Sequence, residues 1–315
     1  MNEFPKLTFL PAIGYRIKYS RKKENLPAVL FFQLPRLLLT IIKEHRWIKK
    51  VLKQHQITAV ISDNRFGLFC KKIPSVYITH QLVIKTNNRF TQKLATQFHS
   101  FVIKRFGQCW IPDSKEKGLA GELSHPAKLN LSTIYIGPLS RFIPREAVEP
   151  IYSLLVSISG PEPQRTIFEE VILRQLSSYE GKVLFVRGLP GNTETLRSPR
   201  QNITIKNHLE SKDMNAAILQ SSMIISRCGY TTIMDLVKLG KKAILIPTPG
   251  QTEQEYLAHY LREQKMFYSL SQEKFSLKKA LEDAALFPFN IPRLDMENYK
   301  LIVKEFVDNL KKGSL

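Results

Sequence analysis

The chain has 315 residues, 43% of them hydrophobic, which suits two packed domains of ordinary size. Lys and Arg number 47 against 27 Asp and Glu, a formal net charge of +20, and the three cysteines show no CxxC spacing among seven scattered histidines. A disulfide scaffold and a zinc site of the usual spacing are thereby excluded, and a reducing compartment fits best.

The charge is uneven: residues 1–150 hold 25 basic and 9 acidic residues, a net +16, and the remainder carries +4. A half this basic is drawn to a polyanion, and the candidates are nucleic acid and an anionic membrane face. The start shows no signal-peptide pattern. Residues 7–10 predict a short strand before an irregular stretch at 11–27. A long helical pattern follows over 28–53, with Val29, Phe32, Leu37, Leu38, Ile41, Ile42, Trp47, Ile48, Val51 and Leu52 as apolar members and Pro35 as a point of kinking or division. Gln33, Pro35 and Arg36 interrupt its apolar run, which stays short of the roughly 18 to 20 residues of a membrane span. The apolar face is expected to pack on a sheet with basic residues outside; a helix lying in a membrane interface is the alternative.

Residues 57–62 read as a buried strand delivering Asp63, Asn64, Arg65 and Gly67 at its carboxyl end, and 75–79 as a second delivering Thr79, His80 and Gln81. A helix over 91–106 and a strand over 108–111 complete a strand, crossover, strand order that argues for a parallel sheet. Asp63 and Arg65 read equally as turn residues or as groups facing a crevice. His80 reads as a capped structural histidine or as a crevice residue.

Residues 134–138 close the first half and 139–150 read as a linker. Strands at 154–158, 183–186 and 203–205, with helices at 165–178 and 212–220, open a second unit whose centre is 223–258. There an apolar run, 223–225, ends at Ser226-Arg227-Cys228-Gly229, and a helical pattern opens at once with Thr231, Thr232, Ile233, Leu236 and Val237. A second run, 243–246, stops at Pro247-Thr248-Pro249-Gly250 before another helix. Such a βαβα unit places its turns at strand carboxyl ends, where free amides at a helix start favour an anion, a phosphate above all. Gly229 permits close approach, Thr231 and Thr232 offer hydroxyls, and Asp235 offers a carboxylate to sugar hydroxyls; the same residues also suit a turn glycine, a cap and a surface acid. Cys228 reads as a buried thiol, since no histidine lies near it in sequence. Helical patterns at 272–285 and 293–310 finish the chain.

SRCGYTTIMDL at 226–236, followed by PTPGQTEQEYLA at 247–258, resembles the donor-nucleotide signature of family 28 glycosyltransferases, with both motifs in order and correctly spaced. The resemblance implies an α/β fold of two Rossmann-like, GT-B-like domains: a basic acceptor-side domain at 1–138, a linker at 139–150, and a donor-binding domain at 151–315 whose last helix crosses back. It places the donor diphosphate near Ser226, Gly229, Tyr230 and Thr231, the ribose hydroxyls on Asp235 where many relatives carry Glu, the transferred sugar near Gln254 and Glu255, and the base near His208 and Met214. Gly160 falls in a loop that is glycine-rich in relatives; Pro161 and Pro163 donate no amide there, so phosphate contacts are fewer or come from Arg165. Arg227 and the helix-start amides would stabilise the departing diphosphate. ITHQL at 78–82 resembles the acceptor side of the cleft, which makes His80 and Asp63 catalytic candidates and Arg65 and Gln81 acceptor-side ones.

Relatives begin with one further strand and a glycine-rich loop, and this chain starts after them, so the first domain is expected to be incomplete. Met1 is then an internal start of a longer protein, or the chain is a shortened relative. The expected function is transfer of a hexosyl group from a nucleotide sugar, a UDP-sugar, to a lipid-linked or membrane-surface acceptor. The site would be the cytoplasmic membrane face, held peripherally, with no metal or other cofactor. Rivals are a nucleotide-sugar epimerase of the same architecture and a non-catalytic anion- or lipid-binding relative. Nucleic acid is disfavoured, because the arginine and aromatic interleaving that reads bases is lacking.

Overall fold

The structure is a computed structural model that describes residues 4–15, 26–116, 118–126, 131–145, 148–194 and 196–313, with the side chains of 26–31 left aside. Part of the irregular stretch at 11–27 therefore lies outside the described residues. Two parallel sheets organise the chain. The first takes β1 (Val60–Asp63), β2 (Ser75–Ile78), β3 (Gln108–Ile111) and β4 (Thr133–Tyr135) in chain order. In the second, β5 (Tyr152–Ser157), β6 (Val183–Val186), β7 (Ile203–Lys206), β8 (Ser221–Arg227), β9 (Ala243–Ile246) and β10 (Tyr268–Ser269) lie in the order β10-β9-β8-β5-β6-β7. The unbroken apolar runs VLFV of β6 and AILI of β9 are buried at every residue, as a parallel sheet covered on both faces requires. Burying each such Leu, Ile or Val side chain contributes about 1.5–3 kcal/mol.

The helices are α1 (Leu26–Gln54), α2 (Arg89–Ile103), α3 (Gln164–Leu176), α4 (Ser211–Leu219), α5 (Tyr230–Leu239), α6 (Thr252–Glu263), α7 (Leu277–Leu286) and α8 (Asn298–Lys312). Asn88 caps α2 by accepting from the Phe90 amide at 2.7 Å. Gly240 ends α5 in the left-handed conformation, φ +61°, which a residue without Cβ adopts freely. The last helix returns to the first sheet, where Phe306 meets Trp110 edge-on at 5.3 Å and packs with Val76 and Ile136. Two segments thus run between the sheets, 136–151 and 287–297. They lie side by side, because a Cβ on Gly137 would come within 3.0 Å of the Asp295 carbonyl and the Asn298 amide group donates to the Tyr135 carbonyl at 3.3 Å.

Three expectations change. Residues 7–10 form no strand: a strand is stable only when paired, and these residues pair with nothing in the first sheet, leaving Leu7, Phe9 and Leu10 exposed. Of the two expectations for Pro35, kinking or division, division does not occur: α1 continues through it. Among the described side chains of α1, Ile48 and Val51 in its second part are buried, while Leu34, Leu38, Leu39 and Ile42 stay exposed. A polar residue explains where packing begins. Glu44, 1% exposed, accepts from the Tyr15 hydroxyl at 2.5 Å, Arg65 Nε at 2.7 Å and the Gly67 amide at 3.1 Å.

Candidate functional site

The chain runs from β5 outward to β6 and β7, then returns to the other side of β5 with β8, β9 and β10. Adjacent strands β5 and β8 therefore send their following connections to opposite sides, and a crevice opens above their carboxyl ends. Gly160 lies in the loop after β5 with φ +111°, a conformation that favours glycine, and a Cβ there would stand 3.6 Å from Thr248 Oγ1 in the loop after β9. Thr248 is fully buried, and its Oγ1 has no hydrogen-bond partner among the described residues. Gly229 begins α5 without a side-chain cap, and a Cβ on it would meet nothing nearer than Thr232 Oγ1 at 4.0 Å. The start of α5 is thus uncapped among the described residues, and free amides at a helix start are groups that bind anions.

The motif residues divide between lining this crevice and building it. Thr231 is exposed at the helix start. Gln254 Oε1 accepts from the Thr248 amide at 2.9 Å and Glu255 Oε1 from the Gly250 amide at 3.0 Å, so both hold the shape of the loop after β9. Ser226, 2% exposed, turns its hydroxyl to the Arg227 carbonyl at 3.2 Å. Met214 lies on α4 and packs against the larger core, whereas His208 is exposed in the loop after β7.

Two arginines depart from expectation. Arg227 is 1% exposed; its Nη2 donates to the Gln164 carbonyl at 2.8 Å, its Nη1 reaches the Ile246 and Pro247 carbonyls at 3.5 and 3.4 Å, and its guanidinium lies 4.3 Å from the Phe168 ring centre. Its guanidinium is thus turned inward, onto three carbonyls and a ring. Desolvation lowers its pKa to about 10, which leaves it charged at neutral pH with no carboxylate bonded to it among the described residues. Arg165 is committed elsewhere: Glu162 and Glu169 take its Nε and Nη1 at 2.5 and 2.7 Å, and Arg187 shares Glu169. The two carboxylates take donors of Arg165 that the expectation left for a phosphate.

Asp235 lies on α5 and accepts from the Ser140 hydroxyl at 2.6 Å. Burial raises its carboxyl from 3.8 to about 6, partly opposed by that hydrogen bond and by the Arg141 charge. Cys228 is fully buried, which pushes its thiol pKa up and makes it a poor nucleophile.

The first sheet meets this crevice with its own carboxyl ends. After β2, His80 stacks on the Tyr230 ring at 4.1 Å between centres and 11° between planes, and its Nε2 lies 2.7 Å from Glu253 Oε1. Tyr230 in turn donates to the Pro112 carbonyl after β3 at 2.9 Å. Thr252, Tyr256 and Tyr260 of α6 donate to the Lys85 carbonyl, accept from the Glu122 amide and donate to the Gly118 carbonyl at 2.6, 2.8 and 2.9 Å. Gln81 stands beside His80, its amide held by Thr79 Oγ1 at 3.1 Å, and Asp63 is exposed at the end of β1. Arg65 is tied to Glu44, to the Ile13 carbonyl and over the Tyr15 ring, so it braces α1 on the sheet. Sequence reasoning missed Glu253 and Thr248. Thr248 had a signal in the Pro-Thr-Pro turn; Glu253 had none, because its partner is 173 residues away.

The sequence model of the Glycosyltransferase family 28 C-terminal domain matches residues 165–310. A UDP-N-acetylglucosamine–N-acetylmuramyl-(pentapeptide) pyrophosphoryl-undecaprenol N-acetylglucosamine transferase of Rickettsia akari (strain Hartford) is 23% identical over 313 residues, covering 87% of this chain and 78% of its own. Among solved structures, the glycotransferase of kitacinnamycin superposes with a TM-score of 0.59 at 11% identity over 89% of this chain and 78% of its own. A Listeria monocytogenes protein described as a UDP-N-acetylglucosamine 2-epimerase gives 0.50 at 11% identity over 87% and 80%. Likeness at these identities establishes the architecture, two Rossmann-like domains of GT-B type.

Proposed function

From the premise that this chain is a family 28 glycosyltransferase-like protein, we propose that it moves a hexosyl group from a UDP-sugar to a lipid-linked or membrane-surface acceptor. The observation that carries this reading is the crevice above β5 and β8, where the uncapped start of α5 follows β8, Gly160 follows β5 beside the Thr248 hydroxyl, and the charged Arg227 is buried at the end of β8. The diphosphate fits at Gly229 to Thr231. Asp235 takes the ribose hydroxyls in place of Ser140, His208 and Met214 flank the base, and the sugar lies beside the loop that Gln254 and Glu255 hold. An acceptor hydroxyl approaches from the first sheet, past Asp63 and Gln81, and gives its proton to His80 as it attacks the anomeric carbon. The departing diphosphate meets helix-start amides and a low-dielectric floor.

Membrane placement is supported by α2. Phe90, Leu94, Phe98 and Phe101 are all exposed at helical spacing, and Arg89, Lys93, Lys104 and Arg105 flank them. An apolar ridge edged by cations suits the interface of an anionic bilayer, and no helix among the described residues is long and apolar enough to cross one.

Thermal unfolding against UDP, GDP, ADP and several UDP-sugars tests the donor. A ligand at about 100 times its dissociation constant stabilises the fold by about 2.7 kcal/mol. A UDP-selective shift that Asp235→Ala removes is expected. A folded sample that responds to none of them defeats the reading, and sugar conversion without any acceptor favours epimerisation.

A further inference from the structure

We propose that Glu253 is the positioning residue of a carboxylate–histidine pair that spans the two halves of the molecule and makes Nδ1 of His80 the proton-accepting atom. The proposal rests on the reading of His80 as the base.

His80 comes from the loop after β2 and Glu253 from the first turn of α6, and their side chains meet at 2.7 Å. A carboxylate only accepts, so the imidazole nitrogen facing it, Nε2, carries the hydrogen, and in the neutral ring the lone pair must then reside on Nδ1. No hydrogen bond to Nδ1 is found among the described residues. The ring is fixed in two ways: by its edge on Glu253 and by its face on Tyr230, whose hydroxyl is anchored at Pro112. Thr252, next to Glu253, bonds the Lys85 carbonyl just beyond His80 and clamps the start of α6 to the same loop. Gln254 and Glu255, which follow, turn to the loop after β9. Four successive side chains, Thr252 to Glu255, therefore tie the base to the loop after β9.

In the reaction the acceptor O–H bond breaks and its proton passes to Nδ1, while the oxygen pair forms the bond to the anomeric carbon. The bond from that carbon to the diphosphate breaks, and its electron pair leaves with the nucleotide. The imidazolium so formed is met by the Glu253 carboxylate, which stabilises charge that was absent before the step. The base is complete only while the two halves touch, so an open molecule holding a donor lacks an oriented base to activate water.

The test uses the full chain, with UDP release from the UDP-sugar that stabilises it most, water serving as acceptor, in wild type, Glu253→Gln, Glu253→Asp and His80→Gln. Imidazole nitrogen NMR of His80 is recorded in parallel. The expected result is a proton on Nε2 in the wild type, a fall in kcat of about 10²-fold in Glu253→Gln with KM unchanged, and partial recovery in Glu253→Asp. A Glu253→Gln enzyme within about threefold of wild type, or a wild-type proton on Nδ1, overturns the proposal while leaving His80 as base. Full activity in His80→Gln, or no UDP release by the wild type from any donor, overturns the reading beneath it and the proposal with it.

Discussion

Asp235 shows how one residue joins stability to pH. Its folded carboxyl titrates at about 6 against an ordinary 3.8, because burial outweighs its bond from Ser140. Between those values the native chain holds a proton that the unfolded chain has lost, so stability falls as pH rises from about 4 to about 6 and is level above. The loss is on the order of 2–3 kcal/mol. Asp235→Asn should abolish that slope and be more stable than wild type at pH 7 but equal at pH 4, as urea unfolding at the two values would read. Arg227 makes the opposite case. Replacing it by Met keeps an apolar stem on Phe168 but strands the carbonyls of Gln164, Ile246 and Pro247, at a cost of about 2–4 kcal/mol in chemical denaturation. Arg227→Lys should recover little, since a single ammonium cannot span three carbonyls at the start of α3, the end of β9 and the residue after it.

At the scale of the element, α2 has two faces with different duties. His99, Val102 and Ile103 are buried under it, and burial holds the His99 imidazole down at about 4, neutral in the core. On its outer ridge Phe98 meets Phe66 edge-on at 6.4 Å and Phe101 lies under Arg105, whereas Phe90 and Leu94 are exposed and make no ring contact among the described residues. Phe90→Asp with Leu94→Asp should therefore leave the melting temperature nearly unchanged and reduce sedimentation with anionic vesicles by about tenfold or more, a change of about 1.4 kcal/mol or above. Unchanged sedimentation would remove the membrane from the account. Elements were legible where the physics is local. The runs 183–186 and 243–246 needed only apolar continuity, and they match β6 and β9. Residues 7–10 were misread because alternating apolar side chains carry no information about whether a partner strand exists. The roles of Arg165 and Arg227 were equally invisible, since a guanidinium's duty depends on which carboxylates and carbonyls the fold brings to it. Asp235 was legible as a position, and its Ser140 partner was not.

In the whole molecule, the first sheet owes part of its cover to the far end of the chain. Phe306→Ala should cost about 3–5 kcal/mol, and because Phe306 packs on Trp110, Val76 and Ile136, that loss should fall on the first half alone. Fluorescence of Trp110 during urea unfolding is expected to move ahead of the far-UV signal in this variant, splitting a single transition into two. The paired segments that carry the chain across and back have a mechanical meaning of their own. A single strand between two bodies is a swivel, free to turn about any axis. Two segments that touch at Gly137 and Asp295 oppose that turning, because rotating one half on the other must wind both together and part their contact.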